Sequence, residues 1–271
     1  MLDPILSTLL VLLGAGPGQD PVTPPPAPSP GEVRSAVEAL ERAFEGGEAG
    51  ERVRAIEAAA SLADPAVVEK LAQGLDDEQA SVRQAALRAL RFQPHASAVD
   101  ALHTSLRKKS RQKVEDKELA ELLLAVGQHA SPSSIELLCG GTLDRTREHS
   151  TRARIHALGR VRDPRAVAEL IALMNKAGGG RGGAGNLFER DFRLSLWALT
   201  GSDQGAARES WMRWWNDNKR TLELSGEPPD QPRALAAQWR RMWSPPRASD
   251  GGRGGAGDGP GKARRGGGEG S

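Results

Sequence analysis

The side chains that could do chemistry in this chain are few and scattered. Five histidines stand at positions 95, 103, 129, 149 and 156, and Cys139 is the single cysteine. A zinc site needs several such ligands at short spacings, and neither His-Glu-x-x-His nor a second cysteine is present. His149 and His156 lie seven residues apart, two turns along one helix face, with no further ligands at helical spacing. The histidines therefore read as partly exposed helix residues. One cysteine excludes an intramolecular disulfide and fits a small buried hydrophobe better than a nucleophile. The run Gly178 to Gly185 lacks the Lys-Ser/Thr and the preceding strand of a phosphate-cradling loop, so it reads as a linker. No Gly-x-Ser-x-Gly elbow occurs. The sequence thus predicts no catalytic, cofactor-binding or metal-ligating residues, no cofactor, and a protein that is not an enzyme.

Residues suited to holding a partner are easier to find. Arg107, Lys108, Lys109, Arg111 and Lys113 form the densest run of one charge sign, suited to an anionic polymer. Glu115, Asp116 and Glu118 follow at once and no aromatic residue interleaves, which favours a solvated loop. All six tryptophans lie after residue 196. Trp211, Trp214 and Trp215 fall at i, i+3, i+4, as do Trp239, Met242 and Trp243, so each set draws one helical face. Two readings stay open: an aromatic cap in which 231–243 folds back on 205–220, or an exposed binding patch built on Trp211, Trp214 and Trp215. Net charge is +2, far from the excess of a nucleic-acid binder.

These residues must be positioned by helices. The chain has no tyrosine and four phenylalanines, so its core is built from Leu, Ala, Val and Ile, which suits close-packed helices. Val167, Leu170, Ile171 and Met174 make one apolar stripe, and Leu119, Leu122, Leu123 and Val126 another. Twelve helices are expected, at 33–45, 49–62, 65–75, 79–92, 95–108, 115–128, 132–143, 148–161, 164–177, 187–199, 205–220 and 231–243. Asp64-Pro65-Ala66-Val67 returns as Asp163-Pro164-Arg165-Ala166-Val167, with Asp placed to cap and Pro at the first helical position. Register marks at Ala59, Leu90, Val126, Leu158 and Leu199 are separated by 31, 36, 32 and 41 residues. Repeats of that length mean a stack of helix pairs, none of which can bury its own apolar flank. The fold class is all-α, an α-solenoid of about five to six units with disordered termini.

The expected organisation is a signal peptide at 1–18, a Pro-rich linker at 19–31, a solenoid at 32–201, a Trp-rich helical cap at 202–243 and a Gly/Arg-rich tail at 244–271. The apolar run Ile5 to Leu13, followed by small residues, is of signal-peptide length and too short to span a membrane. That predicts export to the periplasm or medium, or a cytoplasmic protein if the run is not a signal. The tail carries Arg-Gly-Gly at Arg253 and Arg265, diluted by Asp258 and Glu269.

The segment Val82-Arg83-Gln84-Ala85-Ala86-Leu87-Arg88-Ala89-Leu90 and the two Asp-Pro turns resemble the short HEAT repeats of many bacterial proteins, including the bilin-lyase-like subgroup, over about 48–200. The unit at 118–143 departs most, lacking both Val-Arg and Asp-Pro. Trp197-Ala198-Leu199-Thr200-Gly201, followed by Trp211-Met212-Arg213-Trp214-Trp215, is similar to the C-terminal end of many exported HEAT-repeat proteins. The resemblance implies that Arg83 and its counterparts Arg52 and Arg152 pack their stems between units and meet either a helix-end carbonyl of a neighbour or an Asp such as Asp76 or Asp77. HEAT-like iron hydroxylases use His-Glu dipeptides, and here only the reversed Glu148-His149 occurs. The leading expectation is a non-enzymatic scaffold or adaptor holding a protein or peptide partner on the face of its Arg/Ala-rich helices. The alternatives are a bilin-lyase-like enzyme or subunit, and a binder of nucleic acid or another anionic polymer through 107–113 and the tail.

Overall fold

The computed structural model describes residues 27–110, 112, 114–140, 146–177, 187–224 and 229–245. The expectations for the signal peptide, most of the Pro-rich linker, the Gly178 to Gly185 run and most of the tail lie outside these residues. Among the described residues there are twelve α-helices and no strand. They are α1 Pro30–Gly46, α2 Ala49–Ala59, α3 Pro65–Gln73, α4 Ala80–Phe92, α5 Ser97–Lys109 and α6 Asp116–Gln128, followed by α7 Ile135–Cys139, α8 Glu148–Leu158, α9 Pro164–Ala177, α10 Glu189–Thr200, α11 Arg208–Asn218 and α12 Arg233–Trp243.

The helix starts follow local chemistry. Ser29 and Glu32 form a reciprocal capping box at α1, with Pro30 in the first turn. Both Asp-Pro turns act alike: Asp64 accepts from the Ala66 N–H and Asp163 from the Arg165 N–H, each at 2.8 Å. At the other end of α10, Gly201 takes φ 71° and donates its N–H to the Trp197 carbonyl, a left-handed C-cap.

Helices pack in pairs, α1 with α2, α3 with α4, α5 with α6, α7 with α8 and α9 with α10, and the pairs stack into two rows. The first row is α1, α3, α5, α7, α9 and α11; the second is α2, α4, α6, α8 and α10. This is an all-α solenoid, and one continuous core runs through it from Leu40 to Trp211. The atypical unit differs as its sequence departs: helix was expected over 132–143, yet α7 is only five residues long, preceded by a 3-10 turn at Pro132–Ser134. The second row carries the stack there, and α6 against α8 is its most extensive junction.

That junction is close because the facing residues are small. A Cβ added at Gly127 of α6 would lie 2.6 Å from the Ala157 Cα, and one added at Gly159 would lie 2.5 Å from the Ser195 Cβ of α10. Nothing stands within 4 Å of a Cβ added at Gly46.

The C-terminal helix differs from the expected fold-back on 205–220. α11 extends the first row, and Trp211 is fully buried in the main core. α12 instead lies across the second row, where Trp239 and Trp243 cluster with Leu194 and Ala198 of α10 and Leu124 of α6. The physical reason is that the first row already buries α11 through Trp211, while α10 leaves an apolar flank uncovered. Gly127→Ala is expected to lower unfolding stability by about 1–3 kcal/mol, because helix backbones must separate. Gly46→Ala is expected to raise it by roughly 0.4–1 kcal/mol; urea unfolding of the two variants checks both signs.

Candidate functional site

Successive helices of the second row are tied by charge. Arg52 of α2 reaches Asp77, just ahead of α4, at 3.1 Å. Arg83 of α4 reaches Glu118 in the first turn of α6 at 3.4 Å, and Lys109 of α5 pairs with the same carboxylate. Arg152 and His156 of α8 converge on Asp191 in the first turn of α10, at 3.7 and 2.9 Å. Each acid sits at or beside a helix start, where the dipole favours negative charge. The expected arginine-to-acid ties between units are therefore present. Arg83 meets the carbonyls of Asp77 and Glu78, in line with the carbonyl alternative, but its acid is Glu118, and it is Arg52 that takes Asp77.

The α6–α8 junction uses a different device. α8 has no side-chain cap of its own. Asp116 of α6 accepts instead from the His149 and Ser150 N–H groups, at 2.8 and 3.2 Å, and from the Ser150 hydroxyl. One helix thus satisfies orphan donors of the next. Desolvation opposes ionisation of Asp116, but these hydrogen bonds and Arg147 outweigh it and hold the carboxyl below its usual range.

One constellation with the composition of a hydrolytic triad was invisible in the sequence. His156 Nε2 is 2.9 Å from Asp191 Oδ1, and His156 Nδ1 is 3.3 Å from Ser195 Oγ. With Nε2–H donating to Asp191, Nδ1 accepts from the serine hydroxyl, the proton arrangement of an activated nucleophile. Burial decides against that chemistry. Ser195 is 0% exposed and packs on the Gly159 backbone, so a substrate carbon has no approach to its Oγ. The three groups join α8 to α10. Asp191 and Ser195 at i, i+4 were the one local signal; the histidine lies 35 residues away.

Of the other histidines, His103 departs from the partly exposed reading, whereas His95 and His129 are partly exposed and His149 is exposed. His103 is buried with Nε2 2.8 Å from Ser134 Oγ, and the Nε2 of half-buried His129 donates to the Leu90 carbonyl at 2.9 Å. Cys139 is half-buried, and its thiol is pushed up to about 12, chiefly by burial and then by Glu169. It stays protonated, which makes it a poor nucleophile.

The sequence-nominated partner residues are spread over the first row. Lys108 is paired with Asp76 at 2.8 Å and Lys109 is buried on Glu118, while Arg107 is exposed. Arg111 and Lys113 lie outside the described residues. Trp211 is fully buried and donates its Nε1–H to the Gly205 carbonyl at 2.9 Å; Trp214 and Trp215 are half-buried against the main core. A cavity of about 440 Å³ between α4, α5 and α6 is lined by Arg83, Lys109, Glu118 and Ser105. Arg83, Lys109 and Glu118 are already paired with one another.

The feature that the sequence did not locate is the face beneath α12. Trp239 meets His156 edge-on, with ring centroids 6.2 Å apart, and Trp243 lies against Gly127. The guanidiniums of Arg91 and Arg160 stand 5.8 and 5.6 Å from the Trp243 ring. Arg91 also donates to the Met242 carbonyl at the end of α12. α12 thus crosses α10, α8, α6 and α4 in turn, held by side-chain insertion.

A repeated helix pair, two stacked rows and an arginine-to-acid tie at successive junctions define a helical repeat scaffold. Residues 35–120 match the family model for HEAT repeats, and the helix pairs that follow continue the same two-row stack. No curated protein matches the chain. Among the described residues no helix is long and apolar enough to cross a membrane.

Burial pulls the His103 and His129 imidazoles below their ordinary 6.5. Below that pH the unfolded chain takes up protons that the folded one refuses, so their stabilisation is full above about 6.5 and declines as the pH falls through this range. Asp116, Glu118, Asp163 and Asp203 are held below their usual values, so theirs persists to lower pH and is lost as those carboxylates protonate. Urea midpoints are expected to be flat from about pH 8 to 7, to fall between about 6.5 and 5, and to fall more steeply below about 4. His129→Gln is expected to shrink the first of these declines.

Proposed function

We propose that the protein is a non-enzymatic scaffold that holds a protein or peptide partner on the face of its second helix row. The observation that carries this reading is α12: the face already takes a helix through two inserted tryptophans, without requiring that helix to join the stack. HEAT repeats commonly mediate protein interactions, which supports the same reading. The sealed position of Ser195 supports a binding rather than a catalytic role for the α8–α10 junction. The internal pairing of Lys108 and Lys109 weighs against an anionic-polymer site at 107–113. The second row beyond α12 offers exposed side chains of both signs, among them Arg54, Glu57 and Arg88, a polar rim around a potential contact.

The apolar run Ile5 to Leu13 supports an exported protein, whose partner would be exported too. Mass spectrometry of the mature protein from its host is expected to find an N-terminus near residue 18; an intact Met1 overturns export. For the scaffold itself, a photo-crosslinking residue is placed at Arg88 in the second row and, separately, at Thr104 in the first. Discrete crosslinked partners are expected from position 88. Products from position 104 alone, or from neither, overturn the reading.

A further inference from the structure

α12 fits the second row in shape but not in charge. It carries Arg233, Arg240 and Arg241 and no acid, yet it lies on a floor that holds Arg91 and Arg160. Among the described residues neither floor arginine has a carboxylate within ion-pair distance; Glu121 acts on Arg91 only from further away. The Nε atoms of both arginines and Trp243 Nε1 are buried without a hydrogen-bond partner. Both arginines are half-buried, and that burial lowers the pKa of their guanidiniums. Buried donors without acceptors are costly, and two half-buried cations beside one indole are only partly compensated by its π-face and, for Arg91, by the Met242 carbonyl and the Phe92 ring. The volume now filled by the Trp243 ring is thus flanked by donors and has no acceptor in it.

We propose that the strip of α4, α6, α8 and α10 beneath α12 is a docking groove for a partner protein's amphipathic helix that carries an aromatic side chain and, four residues further on, a carboxylate, and that α12 is the resident helix this partner displaces. The inference rests on the reading of the second row as the partner face. The spacing comes from α12: an aromatic group in the place of Trp239 keeps the contact with His156, Leu194 and Ala198. A carboxylate in the place of the Trp243 ring accepts from Arg91 and Arg160, as charge-assisted pairs. An acidic helix also removes the like-charge juxtaposition that α12 imposes.

The test uses two fluorescein-labelled synthetic peptides of residues 229–245, one of native sequence and one with Trp243→Glu. Anisotropy titrations employ the full-length protein, its Trp243→Ala variant, in which α12 is loosened, and the Arg91→Gln/Arg160→Gln double variant. The glutamate peptide is expected to bind the full-length protein about tenfold more tightly than the native peptide. It should bind more tightly still to the Trp243→Ala protein, weaken with salt, and lose its advantage on the double variant. Equal affinity, preference for the native peptide, or an advantage that survives in the double variant overturns the proposal and leaves the partner-face reading standing. Failure of both peptides to bind even the Trp243→Ala protein overturns that reading and the proposal together. Trypsin cleavage at Arg240 and Arg241 gives a measurement within one chain. Trp243→Glu should keep those sites better protected than Trp243→Ala, and equal rates for the two count against the carboxylate pairing.

Discussion

The approach of neighbouring helices in the second row is the constraint on which everything else depends. A pair of short helices leaves apolar flank exposed on two sides, and only a neighbour at close range can cover it. At α6, α8 and α10 that range is set by Gly127 against Ala157 and Gly159 against Ser195, where any larger side chain would hold the backbones apart. Once the helices are that near, the polar ties fall within reach: Asp116 onto the first turn of α8, and Asp191 onto His156 and Arg152. The close contacts and the ion pairs are one arrangement, in which apolar burial sets the distance and charge sets the register.

The polar groups at these junctions illustrate how the same atoms can satisfy packing or perform chemistry, with burial deciding between them. Ser195, His156 and Asp191 are connected as a nucleophile, a base and its orienting acid would be. What they accomplish is the satisfaction of three polar groups between α8 and α10, where an unpaired hydroxyl or imidazole would be costly. Cys139 belongs with them: its environment keeps the thiol neutral, and its contribution is volume.

Features with a local cause were legible in the sequence. The capped starts at Asp64 and Asp163 and the apolar stripes depend on neighbours within a turn or two, so spacing alone placed them. The arginine ties were legible in kind but not in partner, since a shift of one acid along the row, from Asp77 to Glu118 for Arg83, leaves no trace in either helix. The site beneath α12 was not legible. Trp239 and Trp243 share a face, which the periodicity gave, but the choice between α11 and the second row depends on which flank the stack leaves uncovered. The short α7 escaped for a similar reason, because its apolar residues suit a longer helix than the chain builds there.

The bond from Arg91 to the Met242 carbonyl joins residues 151 positions apart in the chain. Repeat arrays ordinarily unfold from their ends, each unit answering only to its neighbours. A strap from the C-terminus to the second pair alters that behaviour, since α4, α6, α8 and α10 share one contact that none of them completes alone. Loosening any of them costs part of the strap, so the middle of the array gains cooperativity from α12. During synthesis the same contact forms after the stack beneath it, because that stack is complete before α12 leaves the ribosome.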